Sequence, residues 1–317
     1  MNFDRDNMKA AAKRLAEQGV FIGTSSWKYP GWFGQLYEHD RYVRRGKFSN
    51  ARFERNCLAE YAQVFKTVCV DAAYYKFPTR EWIGGMAAQV PEDFRFAFKV
   101  TDEITMRQFP NFPRFGRRAG QTNEHFLNAP LFTSAFLNAL EPFRQKVGVL
   151  MFEFSQFHSA DFARGREFVA ALGEFFCRIP RDWPYAVEIR NRTLLQPDYF
   201  ATLTKHGVAH VFNSWTDMPS AGEQIEIPDA FTCGELFASR FLLKPGRKYE
   251  DAVKSFSPYE RIVETNPEGR TAGVKLLKRA RDSGKRLHGY IFVNNRFEGN
   301  ALQSIAAIVA GAGEEGR

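Results

Sequence analysis

Cysteine is scarce: four in 317 residues, with Cys57, Cys69, Cys177 and Cys233 far apart in the chain. A zinc site or a redox dithiol brings two cysteines within a few residues, so both are excluded and the four read as reduced core thiols. Long apolar runs are also missing. No stretch reaches the roughly 18 consecutive apolar residues of a membrane span. The first 19 residues form a charged amphipathic helix rather than a leader with an apolar centre. The expectation is a cytoplasmic protein with no membrane partner. There is no GxGxxG after a strand, no P-loop, no Gly-x-Ser-x-Gly elbow and no HExxH, which leaves nicotinamide, ATP and serine-hydrolase readings without support. Histidine is sparse, at six residues. His210 falls inside a strand and His288 begins one, and both read as structural. No repeat, low-complexity tract or Pro/Gly/Ser linker divides the chain. One domain over 1–317 is expected, with a helix over 1–19 and the rest of the fold over 20–310.

What is present is a chain 44% hydrophobic and 25% charged, with 32 phenylalanines, enough to build a large core. Lysine and arginine number 44 against 36 acids, and this net charge of +8 suits anionic partners. Short runs rich in β-branched and aromatic residues recur at 20–24, 67–71, 94–100, 147–154, 185–190, 208–213, 238–244 and 288–294. Between them lie segments of helical spacing, such as Leu58, Tyr61, Ala62, Phe65 and Phe168, Leu172, Phe175, Phe176. Pro130, Pro197 and the capping box Ser257-Pro258-Tyr259-Glu260 read as helix starts, and Asp282-Ser283-Gly284 as a stop. Eight alternations of strand and helix describe a TIM (β/α)₈ barrel, an α/β fold, with a doubly wound open sheet as the alternative. Long connections follow the first strand, 28–50, and the third, 101–128. In a barrel both lie on the C-terminal face, where sites are built.

Alternation then chooses faces. Phe94, Phe96 and Phe98 share one face of the third strand, which leaves Lys99 on the other; Val187 and Ile189 share a face of the fifth, which leaves Glu188 and Arg190. With the apolar faces against the helices, Lys99, Glu188 and Arg190 point into the lumen, and Asp71 and Glu153 join them from the second and fourth strands. Adjacent strands are about 4.8 Å apart, so these charges interact. Any one of them is equally well a solvated rim charge. Four ionisable groups on inward positions of consecutive strands are less ordinary, because lumens are usually filled with branched apolar residues.

These residues also carry a resemblance. The opening Ile22-Gly23-Thr24-Ser25-Ser26-Trp27-Lys28-Tyr29-Pro30-Gly31-Trp32 is similar to that of the domain-of-unknown-function 72 (YecE-like) family. Further matches follow in order at Tyr74-Tyr75, Trp82, Pro91-Glu92-Asp93-Phe94, Phe98-Lys99, Ala186-Val187-Glu188-Ile189-Arg190, Arg240 and Val293-Asn294-Asn295. The resemblance implies a TIM barrel and carries no agreed reaction. Family positions carry over to Trp27, Tyr29, Trp32, Lys99, Glu188, Arg190, Arg240, Asn294 and Asn295. Ser26 stands where glycine is common, Cys69 and Asp71 replace a Glu and an Asn, Glu153 replaces a Gln, and no histidine follows Arg240. The chain resembles a divergent branch.

The leading expectation is an enzyme, a hydrolase or lyase, acting on a small polar or anionic substrate such as a sugar or phosphate compound. Glu188 and Glu153 serve as the acid/base pair, with Lys99 and Asp71 beside them. Arg190 and Arg240 clamp an anion, Asn294 and Asn295 bind substrate, and Trp27, Tyr29 and Trp32 offer a stacking wall. No cofactor or metal is expected under this reading. The alternative is a phosphodiesterase holding Mg²⁺ or Mn²⁺ on Asp71, Glu153 and Glu188, with the Arg/Phe-rich loop 107–118 along nucleic acid. A non-catalytic ligand-binding protein is the third reading. If the cations lie within about 4 Å of both glutamates, both stay ionised and the site behaves as an anion-balanced binding pocket; if Glu153 lies close to Glu188 but apart from the cations, it keeps a proton and acts as general acid, with Glu188 the ionised partner.

Overall fold

Alternating apolar residues produce the eight barrel strands of the computed structural model, which describes residues 3–313; a short antiparallel pair, Val43–Arg44 with Lys47–Phe48, lies apart from them in the first long connection. The barrel strands are β1 (Val20–Ser25), β2 (Thr67–Val70), β3 (Arg95–Lys99), β4 (Val147–Phe154), β5 (Tyr185–Ile189), β6 (Ala209–Ser214), β7 (Leu236–Phe241) and β8 (His288–Val293). All pair in parallel with their sequence neighbours, and β1 pairs with both β2 and β8, so the sheet closes into a barrel. Helices between the strands cover the outside, as a parallel sheet requires on both faces. This is a TIM (β/α)₈ barrel.

Two apolar layers hold it. Inside, residues such as Phe21, Cys69, Ala97, Met151, Val211 and Phe292 fill the lumen as one cluster. Tyr290 stacks on Phe21 there at 4.9 Å, and its ring lies where a Cβ on Gly148 would be, 2.4 Å away, so β4 needs glycine at that height. Outside, Phe94, Phe96, Phe98, Phe152 and Val187 meet the helices in the larger core. The helix Arg5–Glu17, capped by the Asp4 carboxylate, buries Met8, Ala11, Ala12 and Leu15, and Ala16 packs against the lumen cluster. No helix among the described residues is long and apolar enough to cross a membrane.

Several local expectations change. Cys57 and Cys69 are buried, but Cys177 is exposed and Cys233 half-buried; all four thiols are free. No helix starts at Ser257. Tyr259 sits at φ 72°, outside the helical region, so this segment turns the chain, and the next helix, Pro267–Asp282, is capped by Asn266. β7 begins two residues earlier than its apolar run and ends at Phe241, with Leu242 and Leu243 leaving the sheet to bond Ser214 O. β2 ends at Val70, and Asp71 opens a short 3₁₀ turn, Asp71–Tyr74.

Candidate functional site at the C-terminal mouth of the barrel

Above the apolar lumen the inward positions change to charge. The register sets Glu153 beside Glu188 on β4 and β5, and Asn213 beside Arg240 on β6 and β7. Arg240 is the hub of the layer. Its Nη1 donates to Glu153 Oε2 at 2.8 Å and to Glu188 Oε2 at 2.7 Å, and its Nη2 donates to Asp71 Oδ1 at 3.1 Å. Arg190 Nη2 lies 2.6 Å from Glu188 Oε1 and 3.2 Å from Glu153 Oε2. Lys99 Nζ lies 2.7 Å from Glu153 Oε2. Three cations and three carboxylates thus share one network that is formally neutral. Solvent reaches it unequally: the Glu188 side chain is 0% exposed, Glu153 12% and Asp71 26%. The network is therefore approached from the Asp71 and Glu153 side.

Glu153 is surrounded on its Oε2 by Lys99, Arg190 and Arg240. Burial pushes its carboxyl pKa up, but these cations outweigh burial and hold it well below the usual carboxylate range. It is ionised near neutrality, as expected where the cations lie close, and the protonated general acid expected only where they lie apart does not arise in this geometry. Cations lie within 4 Å of both glutamates. Burial and the Asp71 carboxylate raise the Cys69 thiol well above its ordinary value, so Cys69, 3.4 Å from Asp71 Oδ1, is an inert neighbour.

The aromatic wall differs from expectation. Trp32 is fully buried, with its Nε1 donating to Asn295 Oδ1 at 3.2 Å, and Trp27 is core-packed. Neither offers a free face. Asn295 Oδ1 also accepts from Ala301 N, so Asn295 ties the β8 loop to a helix start. Tyr29 is half-buried near the mouth: burial raises its phenol, the nearby Arg296 opposes this, and Asp71 adds to the rise. Asn294 accepts from Arg296 N through its Oδ1, while its Nδ2 is buried without a partner.

Alternation did not single out some of the groups at the mouth. The Tyr74 ring lies 3.9 Å from Lys99 Nζ, and the Trp215 ring 3.9 Å from the Arg190 guanidinium carbon. Arg296 stacks on Tyr249 and keeps a buried Nε with no hydrogen-bond partner. All three sit just beyond strand ends, where period-two spacing stops; the aromatic-after-strand pattern of Trp215 and the basic residue after Asn294-Asn295 were the signals available. Arg190 Nε and Nη1, Arg240 Nε and Asn213 Oδ1 are also buried and unpartnered. The mouth therefore has hydrogen-bonding capacity that its own residues do not use.

A profile of the family described as protein of unknown function DUF72 matches residues 21–317. The chain belongs to the DUF72 family. Solved DUF72 proteins share its fold. One from Enterococcus faecalis V583 is 19% identical with a TM-score of 0.62, covering 93% of this chain and 97% of its own. Another, from Thermotoga maritima MSB8, is 17% identical with a TM-score of 0.56, covering 91% and 96%. No curated protein matches. Ser26 adopts φ 65°, the left-handed region that glycine enters freely. Its N–H donates to Cys69 O as β1 ends against β2, so the turn aims the Trp27–Trp32 segment across the barrel end.

Among the loop 107–118 arginines, Arg114 pairs with Asp102 and Arg118 with Glu103, which neutralises half of the basic stretch expected to follow nucleic acid. Among the described residues no group of three His, Cys, Asp or Glu is arranged to hold a metal ion. The Arg240 guanidinium already bonds the three carboxylates that the metal reading assigns as ligands.

Proposed function

We propose that this DUF72 protein is an enzyme acting on a small, polar, oxyanion-bearing substrate at the C-terminal mouth of the barrel. Glu153 is the ionised carboxylate that takes a proton, from the attacking water in a hydrolysis or from a substrate C–H as the leaving group departs in an elimination, and the Lys99 ammonium stabilises the negative charge that develops. Arg190, with two unused N–H groups, Asn294 Nδ2 and Arg296 supply donors to the oxyanion. Glu188 and Arg240 hold the others in place from the fully buried side, and Asp71 closes the exposed edge. The reaction class is hydrolysis or elimination.

One observation carries this reading: six bonded ionisable side chains occupy a layer of the lumen where branched apolar residues would hold the barrel better. Replacing buried ion pairs by well-packed apolar residues is often neutral or stabilising, so stability alone does not explain such a network. The metal reading receives less support, because a divalent ion would first have to displace Arg240 from all three carboxylates.

The test is turnover. Wild-type protein is incubated with sugar phosphates, phosphate diesters and hydroxy acids, and product is followed by proton and phosphorus NMR. A product is expected with the wild type, with its rate reduced roughly 100-fold or more in Glu153→Gln and in Lys99→Gln. Binding without product across the panel sinks the enzymatic assignment, and turnover that survives Glu153→Gln removes Glu153 from the reaction.

A further inference from the structure

Beside the charged mouth lies a cavity of about 290 Å³ between the loops that follow β3 and β4. Its lining includes Thr105, Arg107, Phe109, Ser155, Phe157 and His158. Two of these residues are left without partners. Thr105 is fully buried behind the cavity wall and its Oγ1 has no hydrogen-bond partner, so a ligand reaches it only with a small shift of the lining. Arg107 differs from its loop neighbours Arg114 and Arg118, which bond carboxylates. No carboxylate among the described residues pairs with it, and its guanidinium is positioned by aromatic faces, 5.7 Å from Phe126 and 5.8 Å from Phe162. A cation placed by stacking keeps its hydrogen-bonding edge free for a planar or tetrahedral oxyanion. The one acid in the lining, Asp161, accepts from His158 N at 2.8 Å through its Oδ2.

Ser155 sets the cavity next to the mouth, with the buried Tyr74 between them. Ser155 follows Glu153 by two residues and lies against the Tyr74 hydroxyl, and the Tyr74 ring underlies Lys99. Its volume takes one ring with its substituent, and Phe109 and Phe157 give that ring apolar walls.

We infer that this cavity is a subsite for an oxyanion carried on a ring, the non-reacting end of a substrate whose reacting end meets Glu153 and Lys99. The inference rests on the proposed mouth chemistry for its second half and on the cavity for its first. Binding at a non-reacting end contributes orientation at the reacting one.

Calorimetric titration with ribose 5-phosphate, uridine 5′-monophosphate and glucuronate separates sugar phosphate, nucleotide and carboxylate sources. It is carried out on the wild type and on Arg107→Gln, Arg107→Lys, Thr105→Val and Lys99→Gln, each shown folded by circular dichroism. At least one probe is expected to bind the wild type and to weaken roughly tenfold or more in Arg107→Gln, with partial recovery in Arg107→Lys and a smaller loss in Thr105→Val. Loss in Arg107→Gln with Lys99→Gln unaffected keeps the subsite and removes the mouth from substrate binding. Loss in Lys99→Gln with Arg107→Gln unaffected overturns the subsite and leaves the mouth reading standing. No binding of any probe at millimolar concentration overturns the subsite as well.

Discussion

Ser26 shows how a single residue can carry a backbone cost at the edge of a site. Its φ of 65° is one that L-residues adopt at a penalty of roughly 1–2 kcal/mol, and the turn it makes sets the start of the 28–50 loop. Ser26→Gly removes that penalty but adds freedom to the unfolded chain and gives up the Ser26 contact with the Tyr29 hydroxyl. The expected net gain is about 0.5–1 kcal/mol, read as a higher denaturant midpoint at unchanged slope. Arg240 is the opposite case, since it stabilises three acids at once. Arg240→Met leaves Glu188 and Glu153 with fewer cations, and the expected loss is about 3–5 kcal/mol. Because the Glu153 carboxyl is held below its ordinary range, its stabilisation is complete above about pH 4.5 and is lost as pH falls through its folded value. That acid slope should shrink in Arg240→Met. An unchanged slope would show that Arg240 does not set the ionisation of Glu153. Lys99, Glu188 and Arg190 could be read from alternation because each sits within or immediately after a regular strand. Arg240 needed the family resemblance, because no periodicity distinguishes a hub from any other inward arginine. Alternation reached neither Tyr74, which only the family resemblance marked, nor Trp215 and Arg296, since their partners are fixed by loop geometry across the barrel end.

Strands were the most legible elements, for the same reason that β6 contains an oddity. Period-two alternation sends Val211 and Asn213 inward and His210 and Phe212 outward, so a histidine faces the helix layer. There His210 is packed edge-on against Tyr199, Phe200 and Phe212, with its Nδ1 3.1 Å from the Tyr199 hydroxyl. Burial lowers its pKa from 6.5 to about 4. The unfolded chain binds this proton below about pH 6.5 while the folded chain refuses it until about pH 4, so stability rises with pH across that window. The contribution is about 3 kcal/mol, present above pH 6.5 and fully lost near pH 4. His210→Leu should flatten the stability profile between these values. A histidine resonance assigned to His210 that titrates near 6.5 would sink the argument. Element ends were harder to read. β7 was misplaced because Leu242 and Leu243 extend its apolar run although their N–H groups bond Ser214 O outside the ladder, and Ser257-Pro258 has the composition of a helix start while Tyr259 adopts a left-handed turn.

At the scale of the molecule, closure explains why charge can lie at the lumen's upper end. A closed barrel has no edge strands, so the apolar lumen and the surrounding Phe-rich layer share every strand between them. Removing one strand opens both layers. The helix Arg5–Glu17 belongs to the same unit, because Leu15 is fully buried in the outer core and Ala16 reaches the lumen cluster. Eight-fold alternation along the chain pointed to a closed barrel with an open sheet as the alternative, and the pairing of β1 with β2, Thr24 with Val68 and Ser25 with Cys69, together with that of β1 with β8, closes it. One outer-core cluster includes residues from Phe3 to Ala312. Unfolding is therefore expected to be one cooperative step. Far-ultraviolet dichroism reports the helices, and tryptophan emission reports buried Trp27 and Trp32 after β1 and buried Trp183 before β5. The two should give the same denaturant midpoint and slope. Separate midpoints would mean that a section of the chain folds independently, and the single-domain expectation over 1–317 would fall.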